Sequence, residues 1–162
     1  IFSKVFNTHR IKVGLLNVGT ETHKGNEQLR KASEMLVETF REGTIEYVGF
    51  VEGSDFSSDK ADVIVTDGFS GNIALKTAEG TANLIKKFFI DEFSSSLSGL
   101  FMGLLMKRKL ARLKERMDPR TLNGGVFVGL NGLVIKSHGS SDSKSFYSAL
   151  KLARKMCQTK PS

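Results

Sequence analysis

Three times along this chain of 162 residues, a short apolar run leads into a glycine-rich polar loop, and a helical pattern follows. The three loops are NVGTETHKGNE (17–27), TDGFSGN (66–72) and KSHGSSDS (136–143). A further β-rich run, IEYVGFVEG, occupies residues 45–53. Short, nearly uncharged runs are typical of strands that are covered on both faces, and their alternation with helices predicts an α/β fold around a mostly parallel sheet.

Apolar residues recur at helical spacing after these runs, which predicts amphipathic helices. The stripes are Leu29, Ala32, Leu36 and Phe40, then Ala78, Ala82, Ile85 and Phe89, then Met106, Leu110, Leu113 and Met117. We expect the second helix to begin at Asn72, and the last helix to be capped by Asp142 or a neighbouring serine. The second and third stripes predict a helical hairpin over residues 84–117, inserted within a single unit that spans 1–162.

The tip of this predicted hairpin combines an apolar run with a basic run. The apolar residues are Leu100, Phe101, Met102, Leu104 and Leu105, and the cations after them include Lys107, Arg108 and Arg112. One interpretation is a helix with a solvated basic face and an apolar face in the core or in a dimer interface. The other is a tip that enters an anionic membrane surface, since each cation near such a surface contributes about 1 kcal/mol.

The composition narrows the classes of partner. A net charge of +7 favours an anionic partner, but basic and aromatic residues are not interleaved, so we expect no nucleic acid.

The single cysteine, Cys157, fits a reducing cytoplasm, and no run approaches the roughly 20 apolar residues of a membrane span. Neither an initiator Met nor a signal peptide opens the sequence, which suggests a processed or truncated chain. The three histidines lack the spacing of metal ligands, and no nucleotide-binding motif occurs, so we expect no metal and no cofactor.

The three loops are candidates for an anion site. Loops at the carboxyl ends of parallel strands line the crevice where ligands bind, and the helix after each loop directs its N-terminal N–H groups there. The alternative is that Gly, Ser and Asn only turn the chain and cap the helices. Three such loops together, one of them carrying Lys24, favour the anion site.

Three long motifs resemble the bacterial phosphate acyltransferases of phospholipid synthesis, in their C-terminal half. The motifs are KVGLLNVGTETHKGNE, ADVIVTDGFSGNIALKTAEG and NGGVFVGLNGLVIKSHGSSDS. That family has a three-layer fold similar to phosphotransacetylases and isocitrate dehydrogenases. It transfers a fatty acyl group from acyl carrier protein to inorganic phosphate. The DAMGGD and GNTGA motifs of the family's N-terminal half are absent, and Val126 and Phe127 replace its usual alanine and proline.

The resemblance implies roles for particular residues. Lys24 and Asn72 would lie at the reaction centre, where Lys24 holds phosphate or the oxyanion and Asn72 donates an amide hydrogen bond. His138 would protonate the leaving thiolate or merely bond a backbone carbonyl. The substrate-binding candidates are Gly25, Asn26, Asp67, Gly68, Gly71 and Ser140. We expect Asp67 to orient its turn rather than act as a base, because a carboxylate repels phosphate.

Three functions remain open at this point. The first is the transferase that forms acyl phosphate, a peripherally membrane-associated cytoplasmic homodimer. The second is a short-chain phosphotransacetylase that uses coenzyme A, which does not need an apolar hairpin. The third is a catalytically silent module that binds a membrane or a carrier protein.

Overall fold

The computed structural model describes residues 2, 6, 8–41, 43–116, 118, 120 and 123–158, without the side chains of residues 97, 100, 113, 114 and 116. The predicted positions Leu100 and Leu113 therefore lack described side chains, and Met117 lies outside the described residues. The chain divides into two compact units, residues 1–82 and residues 83–162.

The first unit is built on a parallel sheet of three strands in the order β2-β1-β3. The strands are β1 (Ile11–Leu16), β2 (Ile45–Val51) and β3 (Val63–Val65). Its core is formed by Ile11, Leu15, Phe50 and Val51, which are buried because neighbouring parallel strands share their apolar faces. The predicted α/β fold with a mostly parallel sheet is confirmed here.

Helix α1 (Glu27–Thr39) packs against β2. Its stripe of Leu29, Ala32 and Leu36 is half-buried, as the spacing predicts, and Phe40 at the C-cap is half-buried too. The Tyr47 hydroxyl on β2 donates a 2.8 Å hydrogen bond to the Ser33 hydroxyl of this helix.

Helix α2 (Gly68–Ser94) continues from the first unit into the second. The expectation that it begins at Asn72 is wrong, because the Asp67 carboxylate accepts hydrogen bonds from the N–H groups of Phe69 and Ser70. That cap starts the helix at Gly68. The predicted α2 stripe lies on the helix, but its members Ala78, Ala82, Ile85 and Phe89 are exposed.

The second unit contains helix α3 (Leu97–Arg116), strands β4 (Gly125–Phe127) and β5 (Val134–Lys136), and helix α4 (Ser143–Gln158). Helix α4 packs against β5 and buries Ser145 and Ala149. Strands β4 and β5 pair antiparallel in a sheet of their own, so they do not extend the parallel sheet that the sequence predicts. Residues 128–133 between them are too few for a parallel crossover, which needs a dozen or more.

Candidate functional site

Two of the three predicted loops leave the same edge of the parallel sheet. Leu15 near the end of β1 pairs with Val65 at the end of β3, so the loops that follow these strands start side by side. Seven of the predicted site residues belong to these loops and the helix starts after them: Lys24, Gly25, Asn26, Asp67, Gly68, Gly71 and Asn72. The third loop, with His138 and Ser140, follows antiparallel strand β5 in the second unit.

Two side chains hold the backbone of the Lys24 loop. The buried Asn17, directly after β1, donates a hydrogen bond of 3.1 Å from Nδ2 to the Lys24 carbonyl. Arg30 of α1 donates to the carbonyl of Gly25 at 2.8 Å and to that of His23 at 3.4 Å. Three successive carbonyls are therefore bound by protein donors, and the loop is pre-organised. Sequence reasoning missed both residues, although an asparagine at the end of a buried strand is a signal for Asn17.

Gly25 takes a conformation that favours glycine. Its φ is +80°, and a β-carbon built there would lie 2.3 Å from Asn17 Oδ1. Asn26 follows and caps α1, since its Oδ1 accepts a hydrogen bond of 2.9 Å from the Leu29 N–H. The Asn26 side-chain oxygen is thus engaged by the helix, whereas its role toward a substrate stays a prediction.

The Lys24 side chain is available to a ligand. It is exposed, and none of the ion pairs among the described residues includes it. Its stem lies along Gly19, where an added β-carbon would be 3.0 Å from Lys24 Cγ. A cation on a stem that is supported in this way can meet a phosphate oxygen.

Asp67 acts on its own helix. Its Oδ1 accepts hydrogen bonds of 2.9 Å from the N–H groups of Phe69 and Ser70, and its carbonyl accepts the Gly71 N–H at 3.0 Å. Hydrogen bonding by the Ser70 side chain, then by backbone N–H groups, holds the pKa of Asp67 below its ordinary value. Two of the N–H groups that were expected to face an anion, those of Phe69 and Ser70, are therefore already bound by the carboxylate of Asp67.

Asn72 lies within the first turns of α2, exposed, and among the described residues its side chain makes no hydrogen bond. Its amide N–H is thus free to bind a ligand. Gly71 before it touches the preceding strand end, since a β-carbon there would lie 2.6 Å from Thr66 Cγ2. The close approach that Gly71 permits is therefore one between helix and strand, while a β-carbon at Gly68 would meet open space.

Ion pairs join Asp118 and Arg120, which follow α3, to the start of α4. Asp142 is the predicted cap: its Oδ1 accepts from the Ser145 N–H at 2.8 Å and from the Ser145 hydroxyl. These bonds, with an ion pair to Arg120, lower the pKa of Asp142 to about 2. Asp118 pairs with both Arg120 and Lys144 at 2.8 Å, which holds the pKa of its carboxyl far below the usual range.

The apolar residues predicted for the hairpin tip, called the α3 tip below, lie on helix α3. Phe101, Met102, Leu104 and Leu105 are each more than half exposed, and the cations Lys107, Arg108 and Arg112 are exposed as well. Near its start, Phe93 of α2 lies 3.7 Å from the position that a Gly103 β-carbon would take. In the part of the chain that the structure describes, none of the helices has the length and apolar character of a membrane crossing.

A family model described as "Fatty acid synthesis protein" matches residues 2–162. This chain belongs to that fatty acid synthesis protein family. Similar relatives carry the name phosphate acyltransferase. The protein of Paracoccus denitrificans (strain Pd 1222) is 51% identical over 154 residues, which are 95% of this chain and 42% of the relative. That of Dinoroseobacter shibae is 51% identical over 148 residues, 91% of this chain and 38% of the relative.

The match to Ruegeria pomeroyi is of the same kind, at 50% identity over 94% of this chain and 41% of the relative. The chain thus spans about two fifths of the length of these curated members of the family.

Proposed function

We propose that this chain is part of an acyltransferase that moves a fatty acyl group from acyl carrier protein to inorganic phosphate, forming the acyl phosphate for phospholipid synthesis. The observation that carries the proposal is the pre-organised Lys24 loop, which leaves the same sheet edge as the helix that bears the free Asn72 amide. It occurs in a chain half-identical to proteins named phosphate acyltransferase.

In the proposed reaction, a phosphate oxygen attacks the thioester carbonyl carbon and the C–S bond breaks. The electron pair of that bond leaves with sulfur, which then takes up a proton. Phosphate is already a nucleophile near neutral pH, so the protein needs only to position the reactants and stabilise charge. Lys24 Nζ binds phosphate, and the Asn72 amide donates to the oxyanion, an effect typically worth roughly 3 kcal/mol.

The other predicted residues have supporting roles in the proposal. Gly25 and Asn26 bind the phosphate or the pantetheine arm of the donor, and Asp67 fixes the start of α2. The resemblance also implies substrate contacts for Ser140 and His138, which belong to the second unit.

The exposed tip of α3 is the proposed contact with an anionic membrane surface. Phe101 and Leu104 would enter the interface, while Lys107 and Arg108 lie among the headgroups. This arrangement supports a cytoplasmic, peripherally associated protein, and we propose that it works as a homodimer. The same basic surface suits the acidic acyl carrier protein.

A short-chain phosphotransacetylase is the main alternative, because it would use the same phosphate site. The exposed apolar tip favours the long-chain donor, since a water-soluble acetyl carrier does not require such a tip. A non-catalytic binding module would keep the tip and lack turnover.

A comparison of acyl donors separates these functions. We would build a chimera in which this chain replaces the matching part of the Paracoccus denitrificans relative, and assay it beside the chain alone. Long-chain acyl carrier protein should be consumed only when phosphate is present, and faster than acetyl-coenzyme A. Preference for acetyl-coenzyme A would support the alternative, and consumption of neither donor would contradict transferase activity.

A further inference from the structure

The turn that carries His138 holds the imidazole ring at one nitrogen. Nδ1 lies 2.8 Å from the Ser140 hydroxyl and accepts a hydrogen bond of 3.2 Å from the Ser140 backbone N–H. The ring is otherwise exposed, and among the described residues no hydrogen bond reaches Nε2.

A backbone N–H can only donate, so its bond to Nδ1 requires a lone pair on that nitrogen. A neutral imidazole has one lone pair and one N–H. With the lone pair on Nδ1, the proton lies on Nε2, and the exposed side of the ring is a donor. A ring in this form cannot act as a base through Nε2.

A second set of contacts fixes the backbone of His138. Asn123 Oδ1 accepts its N–H at 3.1 Å, while the Ser141 hydroxyl and N–H donate to its carbonyl at 2.6 and 3.1 Å. The Asn123 amide also donates to the Ser137 hydroxyl at 2.7 Å and to the Ser145 carbonyl at 2.9 Å. One asparagine therefore ties the His138 turn to Ser137, directly after β5, and to α4.

We propose that Ser140 and Asn123 are positioning residues that hold neutral His138 with its proton on Nε2, so that the ring meets an anionic oxygen as a hydrogen-bond donor. The nature of that oxygen, on phosphate or on the thioester oxyanion, rests on the proposed function. The orientation and the tautomer of the His138 ring rest on its hydrogen bonds alone. His138 then stabilises negative charge as a hydrogen-bond donor, and the thiolate takes its proton from another source.

The tautomer can be measured without turnover. Long-range ¹H–¹⁵N correlation spectra of the ¹⁵N-labelled chain, at a pH above the ordinary histidine pKa of about 6.5, distinguish a protonated from an unprotonated ring nitrogen. His138, assigned by loss of its signals in His138→Gln, should show the Nε2–H form more completely than the exposed His9 and His23. A proton on Nδ1, or the tautomer ratio of His9, would overturn the proposal.

Variants test which residues set the tautomer ratio of His138. Asn123→Ala should move His138 toward the ratio of His9, whereas Asn131→Ala, an exposed asparagine in the β4–β5 connection, should leave it unchanged. Ser140→Ala retains the backbone N–H and should cause a smaller shift, which keeps the test decisive if Asn123→Ala fails to fold. An unchanged His138 ratio in both folded variants would contradict a positioning role.

Activity of the chimera tests the donor role separately. His138→Gln keeps an N–H near the position of Nε2 but cannot transfer a proton, so it should stay within about fivefold of the parent, while His138→Ala falls about 100-fold. Equal losses would mean that proton transfer, not donation, is what His138 supplies. A parent chimera without any activity would contradict the proposed function, and the spectra would still decide the tautomer.

Discussion

At the scale of single residues, the shape of the Lys24 loop depends on which donors bind its carbonyls. Asn17 and Arg30 bind three of them in succession, and Gly25 fits between because it has no β-carbon. Lys24 itself makes none of these side-chain contacts, so the loop can be disturbed without touching its cation.

Gly25→Ala should destabilise the fold more than an equally left-handed glycine elsewhere. Gly49 on β2 has φ +85° and nothing within 4 Å of an added β-carbon, so Gly49→Ala measures the conformational cost alone. That cost is roughly 1–2 kcal/mol, and Gly25→Ala adds the clash with Asn17. Urea unfolding followed by circular dichroism compares the two, and equal losses would mean that Asn17 moves aside freely.

Arg30→Lys should weaken the use of phosphate. Arg30 binds both carbonyls through one nitrogen, Nη1, and the shorter lysine side chain cannot bring its ammonium to the same position, so the loop loses order while the charge is kept. In the chimera we expect the KM for phosphate to rise about tenfold, a loss of roughly 1.4 kcal/mol, with little change in the KM for the acyl donor.

Lys31→Gln is the control for that measurement, since Lys31 is exposed and its one ion pair among the described residues is with Glu27 on the helix surface. Its phosphate KM should match the parent. An unchanged KM in Arg30→Lys would show that the loop does not need the guanidinium.

At the level of residues, the sequence predicted the ligand-facing candidates Lys24 and Asn72 but not the residues that hold the loops in place. The resemblance selected Lys24 and Asn72, and both side chains prove exposed and free of ion pairs or hydrogen bonds among the described residues. Arg30 could not be predicted from the sequence, because its bond to the Gly25 carbonyl depends on how α1 lies on the sheet. The role of Asn123 could not be predicted for the same reason, since its partners lie in the loop after β5 and on α4.

At the scale of elements, the start of α4 should make stability depend on pH. The folded pKa of Asp142, about 2, lies below its ordinary value of about 3.9. Its stabilising effect is therefore fully present above about pH 4 and is lost as the pH falls through about 2. The urea midpoint should drop over this window.

Asp142→Asn should reduce that drop, because asparagine still caps α4 but carries no charge for Arg120. Asp59→Asn is the control, since Asp59 is exposed and unbonded among the described residues. A pH profile of Asp142→Asn identical to the parent's would assign the dependence to other carboxylates, such as Asp118.

The tip of α3 makes a separate prediction. Phe101→Asp with Leu104→Asp should abolish sedimentation with anionic liposomes, because two charges replace the apolar residues that would enter the interface. Met35→Asp with Phe56→Asp removes similarly exposed apolar side chains and adds the same charge, so it should sediment like the parent. If the tip variant sediments with anionic liposomes as the parent does, the apolar side of α3 contacts protein, in the core or in a dimer interface, rather than a membrane.

Two element boundaries could not be predicted from local pattern. The run TDGFSGN contains two glycines, which favour a turn, yet Asp67 caps the helix early enough to include both. Strands β4 and β5 follow one another without a helix between them, and the short connection of residues 128–133 indicates an antiparallel pair. Composition and spacing predict where strands lie, whereas the direction in which two strands pair depends on the length of the segment that connects them.

At the scale of the whole molecule, the parallel sheet of the first unit was predictable, because apolar runs that alternate with amphipathic helices have few other ways to bury both faces. The site was predictable only as a set of loops. The chain covers about two fifths of the length of its relatives, and the central claim concerns what this chain contributes to the proposed reaction.

That claim is that Lys24, on its pre-organised loop, binds the phosphate that accepts the acyl group. The most direct measurement is phosphate-dependent formation of long-chain acyl phosphate by the chimera, compared with its Lys24→Met and Lys31→Met variants. We predict that the parent and Lys31→Met form product at rates within twofold of each other, and that Lys24→Met is slower by about 100-fold, or roughly 3 kcal/mol. Product formation by Lys24→Met at the parental rate would contradict the account.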